Sequence, residues 1–319
     1  MAKQYRSAAF VNGVVVVNKP AGMTSHDVVD VLRRLFRTKR VGHTGTLDPD
    51  ATGVLVLCVG NATRLVEYLT AARKHYVTRI VLGVETDTQD ASGSVLVERS
   101  AEHLSEADLS ALLPQFRGTI EQIPPMVSAR HHEGKRLYEL ARAGIEVERE
   151  ARSVHIDLLE LTAFRPGLRA EATLEVTCST GTYIRTLAAD IGAAARTGGM
   201  MQSLLRTWVG SDTGAFTLAT AHTLEHLRRC AVEQTLGDVL VPLEKVVADW
   251  TGVSLTADQT SRFRMGQAIP RSELSIESGA NEPTAPVAVL DSADAMCGIA
   301  KLDAGFLHPV KVFPLESAE

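Results

Sequence analysis

The stretch GHTGTLDPDATG, Gly42 to Gly53, limits the fold more than any other segment of the chain. Its glycines and the proline after its first aspartate forbid a regular helix, and its polarity forbids a core strand. It must be a loop held by its surroundings, with a helical pattern before it and the apolar run GVLVLCVG after it. What such a loop presents is Asp48.

The flanking sequence shows what can do the holding. GVVVVNKP reads as a short strand stopped by Pro20. A helix follows, with Ser25 as the expected cap and Val28, Val31, Leu32, Leu35 and Phe36 at helical spacing. Asn61 is expected to cap a helix running to about Ala72. KHYVTRIVLG has strand character, with Tyr76, Thr78, Ile80 and Leu82 on one face. VETDTQDASG reads as a polar loop and SVLVE as a strand. Ser105 caps a predicted helix EADLSALLPQF, and KRLYELARAG is predicted as a helix ending at Gly144. Two long strands, SVHIDLLELTAF and EATLEVTCST, precede a tight turn at Gly181 and a helix from about Tyr183 to Arg196. Strands and helices mix without strict alternation, so the expected class is α+β, built around a sheet. After Asp249 short strands surround one helix, ADQTSRFRMG, and SIESGANEPTAPV reads as a linker. The expected division is 1–248 and a small β-rich unit at 249–319.

Composition narrows the function classes. No apolar run approaches the roughly 18 residues that span a bilayer. The N-terminal residues lack the apolar core of a secretory signal, and the four cysteines are far apart without a CxxC pair. A reduced, cytoplasmic protein is the expectation. The net charge of −5 conceals an asymmetry. Residues 212–319 carry 8 Lys and Arg against 15 Asp and Glu. Residues 1–40 carry Lys3, Arg6, Lys19, Arg33, Arg34, Arg37, Lys39 and Arg40 against Asp27 and Asp30. That cluster is either a solvated face or a surface that tracks phosphates.

Three motifs compete for the chemistry. Asp48 to Thr52 fits DxDxT, an aspartyl phosphotransferase pattern, but lacks the apolar strand running into its first Asp. His222 to His226 fits HxxEH, which would place two imidazoles on one helix face for zinc, with no third ligand singled out. CSTGTYIRTLAADIG puts Tyr183 and Arg185 at the mouth of a helix.

Together, VNKPAGMTSHDVV, RVGHTGTLDPDATGVLVLCVGNATRLVEYL, KHYVTRIVLGVETDTQDASG, GKRLYELARAGIEVEREAR and CSTGTYIRTLAADIG resemble the TruB family of tRNA pseudouridine synthases, in order and spacing, over roughly residues 10–210. The resemblance implies a pseudouridine synthase fold, with a mainly antiparallel central sheet flanked by helices and a PUA-like, RNA-binding C-terminal domain. It implies isomerisation of uridine to pseudouridine at position 55 in the T-loop of tRNA, without metal or organic cofactor. The expected partner is the tRNA T-stem-loop, with no membrane and a monomeric enzyme.

The family pattern makes Asp48 the catalyst, Arg185 its guanidinium partner and Tyr76 the ring that stacks on the flipped base. It makes Asp90 a support for Arg185, and Tyr183 and Leu204 walls of the pocket. His43 is the natural wedge in the RNA, and Lys19 a support for the loop or a phosphate. A nearby guanidinium is expected to lower the Asp48 pKa. Three places depart from the family: Asp50, a second carboxylate beside Asp48; Val127, where a Tyr is common; and Arg130-His131-His132, a polar variant. The competing class is an RNA-binding or tRNA-folding protein whose catalysis is incidental, which the basic N-terminal segment and the PUA-like tail would suit; Arg262, Arg264 and Lys311 would form a local basic face on the otherwise acidic C-terminal part.

Overall fold

The computed structural model describes residues 12–126, 131–132, 135–136, 147–211, 215–274 and 286–314. The first sheet runs β1 (Gly13–Lys19), β3 (Thr52–Val59), β12 (Gly199–Gly210), β4 (Arg73–Leu82), β11 (Ala170–Cys178), β10 (Arg152–Arg165) and β7 (Gly118–Gln122). β2 (Val41–His43) lies beside β3, and β13 (Ala215–Thr217) beside β12. Its pairings are antiparallel except β12 with β3. The fold is the expected α+β class.

The apolar runs of β1 and β3 follow from cover on both faces. Val15, Val17, Leu55 and Leu57 pack in the core under α1 (Ser25–Leu35), with its Val28, Val29 and Leu32. Val14, Val16, Val54 and Val56 face the other way, against Ala288, Met296, Ile299 and Phe313 of the C-terminal unit. That unit is a five-stranded sheet ordered β14 (Gly252–Ser254), β16 (Val287–Leu290), β17 (Met296–Asp303), β18 (Phe306–Val312), β15 (Ile269–Pro270). The helix Ala257–Arg264 packs on it through Phe263. Two further contacts reach α2 (Val66–Thr70). Lys311 Nζ lies 2.9 Å from Glu67, and the Trp250 and Tyr68 rings meet edge to face at 5.4 Å.

Several local expectations change. Thr24, not Ser25, caps α1, in a capping box with Asp27, and Ser25 is drawn inward to another task. The segment after β3 begins as a 3-10 helix, Gly60–Leu65, and only Val66–Thr70 is α-helical. Asn61 caps nothing, and its N–H donates to the Asn12 side chain. Val84–Thr86 and Val95–Glu98 pair as strands, β5 and β6, around the polar turn. Ser105 caps its helix, α3 (Glu106–Leu112), as expected. Lys135–Arg136 (β9) pairs with His131–His132 (β8) as a strand rather than starting a helix. The rest of that predicted helix, Val127 and most of the linker lie outside the described residues. The C-terminal basic face is neutralised: Arg262 pairs with Glu273, Arg264 with Asp291 and Lys311 with Glu67. All four cysteines are free and buried. Among the described residues no helix is long and apolar enough to cross a membrane.

One glycine fixes the sheet where it meets the loop. Gly53 has φ +102° and opposes Arg206 in the parallel β3–β12 bridge. A Cβ there would sit 2.1 Å from the Arg206 carbonyl oxygen. Gly53→Ala must therefore push the two central strands apart and strain its own backbone. We expect a loss of about 2–4 kcal/mol, read from the urea midpoint. An unchanged midpoint would show that β3 and β12 can separate there at no cost.

Candidate active site

The Asp48 loop is built from backbone groups that the sheet leaves unsatisfied, and side chains from four places, three of them buried, satisfy them. Lys19, fully buried at the end of β1, donates to the carbonyls of Pro20 at 2.9 Å, Met23 at 2.6 Å and Pro49 at 2.9 Å. The Gly22 N–H also donates to Pro49. Ser25 takes the Leu47 N–H on its hydroxyl oxygen at 2.8 Å and donates to the Leu47 carbonyl at 3.1 Å. Arg206, 1% exposed on β12, donates to Val54 at 2.7 Å, Gly45 at 3.0 Å and Thr46 at 3.4 Å. The His43 ring accepts the Gly45 N–H at Nδ1, 3.3 Å away.

So held, Asp48 meets Arg185 from α4 (Ile184–Ala194) in a two-point pair, Nε to Oδ2 at 3.0 Å and Nη2 to Oδ1 at 3.3 Å. Behind it, Arg185 Nη1 lies 3.6 Å from Asp90 and 3.2 Å from the Thr88 carbonyl. Asp90 is itself fixed by Thr88 and Ser92, which donate to its Oδ1. The mouth of α4 is pinned by Gln122 of β7, which accepts from the Tyr183 N–H and donates to the Tyr183 carbonyl.

The electrostatics differ from the expectation in their net sign. Burial pushes the Asp48 carboxyl above the ordinary aspartate value. Arg185 and Lys19 pull it back, while Asp90 pushes it further up. Arg185 lowers it as expected, but desolvation outweighs the guanidinium. Asp50 is exposed, and its charge acts on Lys19, whose pKa burial depresses to about 8.

Asp48 and Arg185 stand on the wall of a cavity of about 430 Å³ that His43, Tyr76, Tyr183 and Leu204 also line. That volume lies within the roughly 300–1,000 Å³ of small-molecule sites. Tyr76 projects from β4 and is buried; burial raises the pKa of its hydroxyl, and the nearby Arg206 charge works against that. Six of the eight predicted residues therefore share one cavity. Lys19 and Asp90 do not line it; they hold the Asp48 loop and Arg185 from behind. Sequence reasoning missed Ser25 as a clamp, Gln122, Arg206 and Lys74. Arg206 had a signal, since it follows Leu204 by one strand period, and Lys74 precedes Tyr76 by the same step.

His222 lies outside the helix that HxxEH requires. Thr223 is the cap, and only Glu225 and His226 fall on α5 (Leu224–Glu233). The two imidazoles stack at 5.1 Å. No group of three or more His, Cys, Asp or Glu is placed to hold a metal among the described residues.

Comparison with known proteins decides the family. Residues 33–184 match the TruB family pseudouridylate synthase (N terminal domain), and residues 185–248 match the tRNA pseudouridylate synthase B C-terminal domain. The chain belongs to the TruB family. It is 47% identical to tRNA pseudouridine synthase B of Symbiobacterium thermophilum, over 83% of this chain and 85% of that one. It is 40% identical to the protein of that name from Saccharophagus degradans, over 98% and 99%. The structure of an H/ACA RNP bound to a substrate RNA containing 2'-deoxyuridine superposes with a TM-score of 0.69 at 22% identity, covering 97% of this chain and 87% of that one. A Cbf5-Nop10-Gar1 complex gives the same TM-score of 0.69 at 23% identity, over 98% and 86%. The TruB chain thus shares the pseudouridine synthase fold, with its β-rich, PUA-like C-terminal unit.

The Ser25 clamp yields a direct test. Ser25→Ala leaves the buried Leu47 N–H and C=O without their partner, at about 1–3 kcal/mol. Hydrogen exchange at the Leu47 amide should speed accordingly, with little change in the remote β10 amides. Unchanged Leu47 protection would show that the loop is held without Ser25.

Proposed function

We propose that this protein isomerises uridine to pseudouridine at position 55 in the T-loop of tRNA, with Asp48 as the catalytic carboxylate. The single observation that carries the chemistry is the two-point Asp48–Arg185 pair on the wall of a cavity that Tyr76 and Leu204 also line. The tRNA substrate rests on the names of the relatives, and the T-loop position on the family pattern around Asp48.

The residues divide the work. The N1–C1′ bond must break and C1′ must rejoin at C5, with the C5 proton lost and one gained at N1. A carboxylate serves such a sequence as nucleophile or as base, and either role needs it ionised. Arg185 supplies the charge that keeps it so against its burial, and the fork holds its orientation. A T-loop uridine is stacked in folded RNA, and its extrusion costs a few kcal/mol. The Tyr76 ring repays some of that by stacking, worth roughly 1–3 kcal/mol. His43, on the cavity wall, is the wedge that fills the space the base leaves. Lys19 acts through the loop, because its donors are spent on carbonyls. The reading gives 1–248 the chemistry and 249–319 a PUA-like RNA contact, in a monomer that needs no cofactor.

The test uses unmodified tRNA transcript in excess EDTA, with pseudouridine mapped by carbodiimide labelling and primer extension. One T-loop stop is expected from the parent and none from Asp48→Asn, which should still bind tRNA. A stop that survives Asp48→Asn would remove Asp48 from the chemistry. Lost tRNA binding in that variant would make the residue structural. The raised Asp48 pKa adds a pH signature. Turnover should fall on acidification at a pH above the ordinary aspartate value, because protonation removes the active form. An acid limb at or below that value would contradict the role given to desolvation.

A further inference from the structure

Lys74 is a buried cation in this cavity that the chemistry so far leaves unused. It is 5% exposed, on β4, two residues before Tyr76 and on the same face of the strand. Its ammonium donates to the carbonyls of Thr70 at 2.7 Å and Ala72 at 2.6 Å, at the end of α2. The third N–H has no protein acceptor among the described residues, and Lys74 lines the cavity. Among the described residues its charge meets no carboxylate: burial and Arg206 lower its pKa to about 8, and Cys178 acts the other way. A buried ammonium without a counter-ion is costly. The cavity therefore sits in an excess of positive charge, with Lys19, Lys74, Arg185 and Arg206 around Asp48 and Asp90.

Resting on the uridine reading above, the geometry points to Lys74 as the residue that receives the base, its third N–H donating to a carbonyl oxygen of the uracil ring. Uracil offers two such acceptors, O2 and O4. When the N1–C1′ bond breaks, its electron pair goes to the base and spreads from N1 onto both oxygens. The pair is used again when C5 bonds to C1′, the C5 proton leaves and N1 takes one up. A fixed donor on one oxygen is therefore strongest while the base is detached, which favours the reaction over mere binding. The carbonyls of Thr70 and Ala72 aim the ammonium, and Gly45 lies beside the Lys74 chain. Lys74 is thus a specificity residue with a share in the rate.

Sulfur in place of one oxygen weakens that acceptor without changing the outline of the base. Single-turnover rates would be measured on T-arm RNA carrying uridine, 2-thiouridine or 4-thiouridine at the target position, with the parent protein and Lys74→Met. With the parent, one of the two thio substitutions should slow the step by roughly 10-fold or more, as loss of a charge-assisted hydrogen bond does. Lys74→Met should be slowed by a similar factor on uridine, bind the RNA as before, and lose nothing further with that same sulfur. Parent rates unmoved by either sulfur would overturn the assignment, even if the variant does not fold. So would a Lys74→Met enzyme that matches the parent on uridine or shows the parent's full sulfur effect. A parent that makes no pseudouridine from uridine RNA would instead remove the activity itself, and the assignment with it.

Discussion

A loop packed against a core has to satisfy the backbone groups it turns inward, and that constraint organises this protein. The segment around Asp48 has no strand partner, so the carbonyls of Gly45, Thr46, Leu47 and Pro49 depend on donors brought from elsewhere. Lys19 comes from β1, Ser25 from α1 and Arg206 from β12. Each is buried, and each would cost stability if left without its acceptors. The cost of burying two cations and the cost of burying loop carbonyls cancel against one another. The result is a rigid loop without regular structure, and Asp48 inherits that rigidity.

The same arrangement sets the electrostatics. Asp48 and Asp90 share one guanidinium, so each is both supported by Arg185 and opposed by the other carboxylate. Desolvation wins at Asp48, leaving a carboxyl that is harder to ionise than one in water. A carboxylate in that condition is a better base and nucleophile than a solvated one, provided the cations around it keep it charged. Lys19 contributes that charge from beneath without entering the cavity. On the proposed reading, one set of contacts gives the loop its shape and Asp48 its reactivity.

Much of this was legible in the sequence, and the features that were not share a cause. Strand periodicity placed Tyr76 on the inner face of β4, and the loop composition singled out Asp48. Local patterns report which face a residue takes and where a chain must turn. They do not report which distant carbonyl a lysine will reach. Arg206 looked like one more charge after an apolar run, because its acceptors lie about 150 positions earlier in the chain. Ser25 had the right chemistry for a cap, yet Thr24 had the same chemistry one residue earlier and took it. The helix after Asn61 was overestimated because its first turns are drawn tight into a 3-10 form against β3. His222 fitted a spacing, but a cap falls inside that spacing and takes the ring off the helix.

The helix α2 joins the two sheets in a way that no single contact does. At five residues it is far below the length at which a helix persists alone, so its conformation depends on what packs against it. Outward, Tyr68 meets Trp250 and Glu67 meets Lys311, both from the C-terminal side of the chain. Inward, the Thr70 carbonyl at its end and that of Ala72 just beyond hold the Lys74 ammonium at the cavity wall. A displaced C-terminal unit would loosen the packing behind those carbonyls as well as the outer face of β1 and β3, although the hydrogen-bond donors of the Asp48 loop all belong to the first 210 residues. Loop and cavity wall thus draw their order from different sources. The Asp48 end takes its hydrogen bonds from the central sheet and α1, and the Lys74 end takes them from the end of an α2 that also packs against the C-terminal side of the chain.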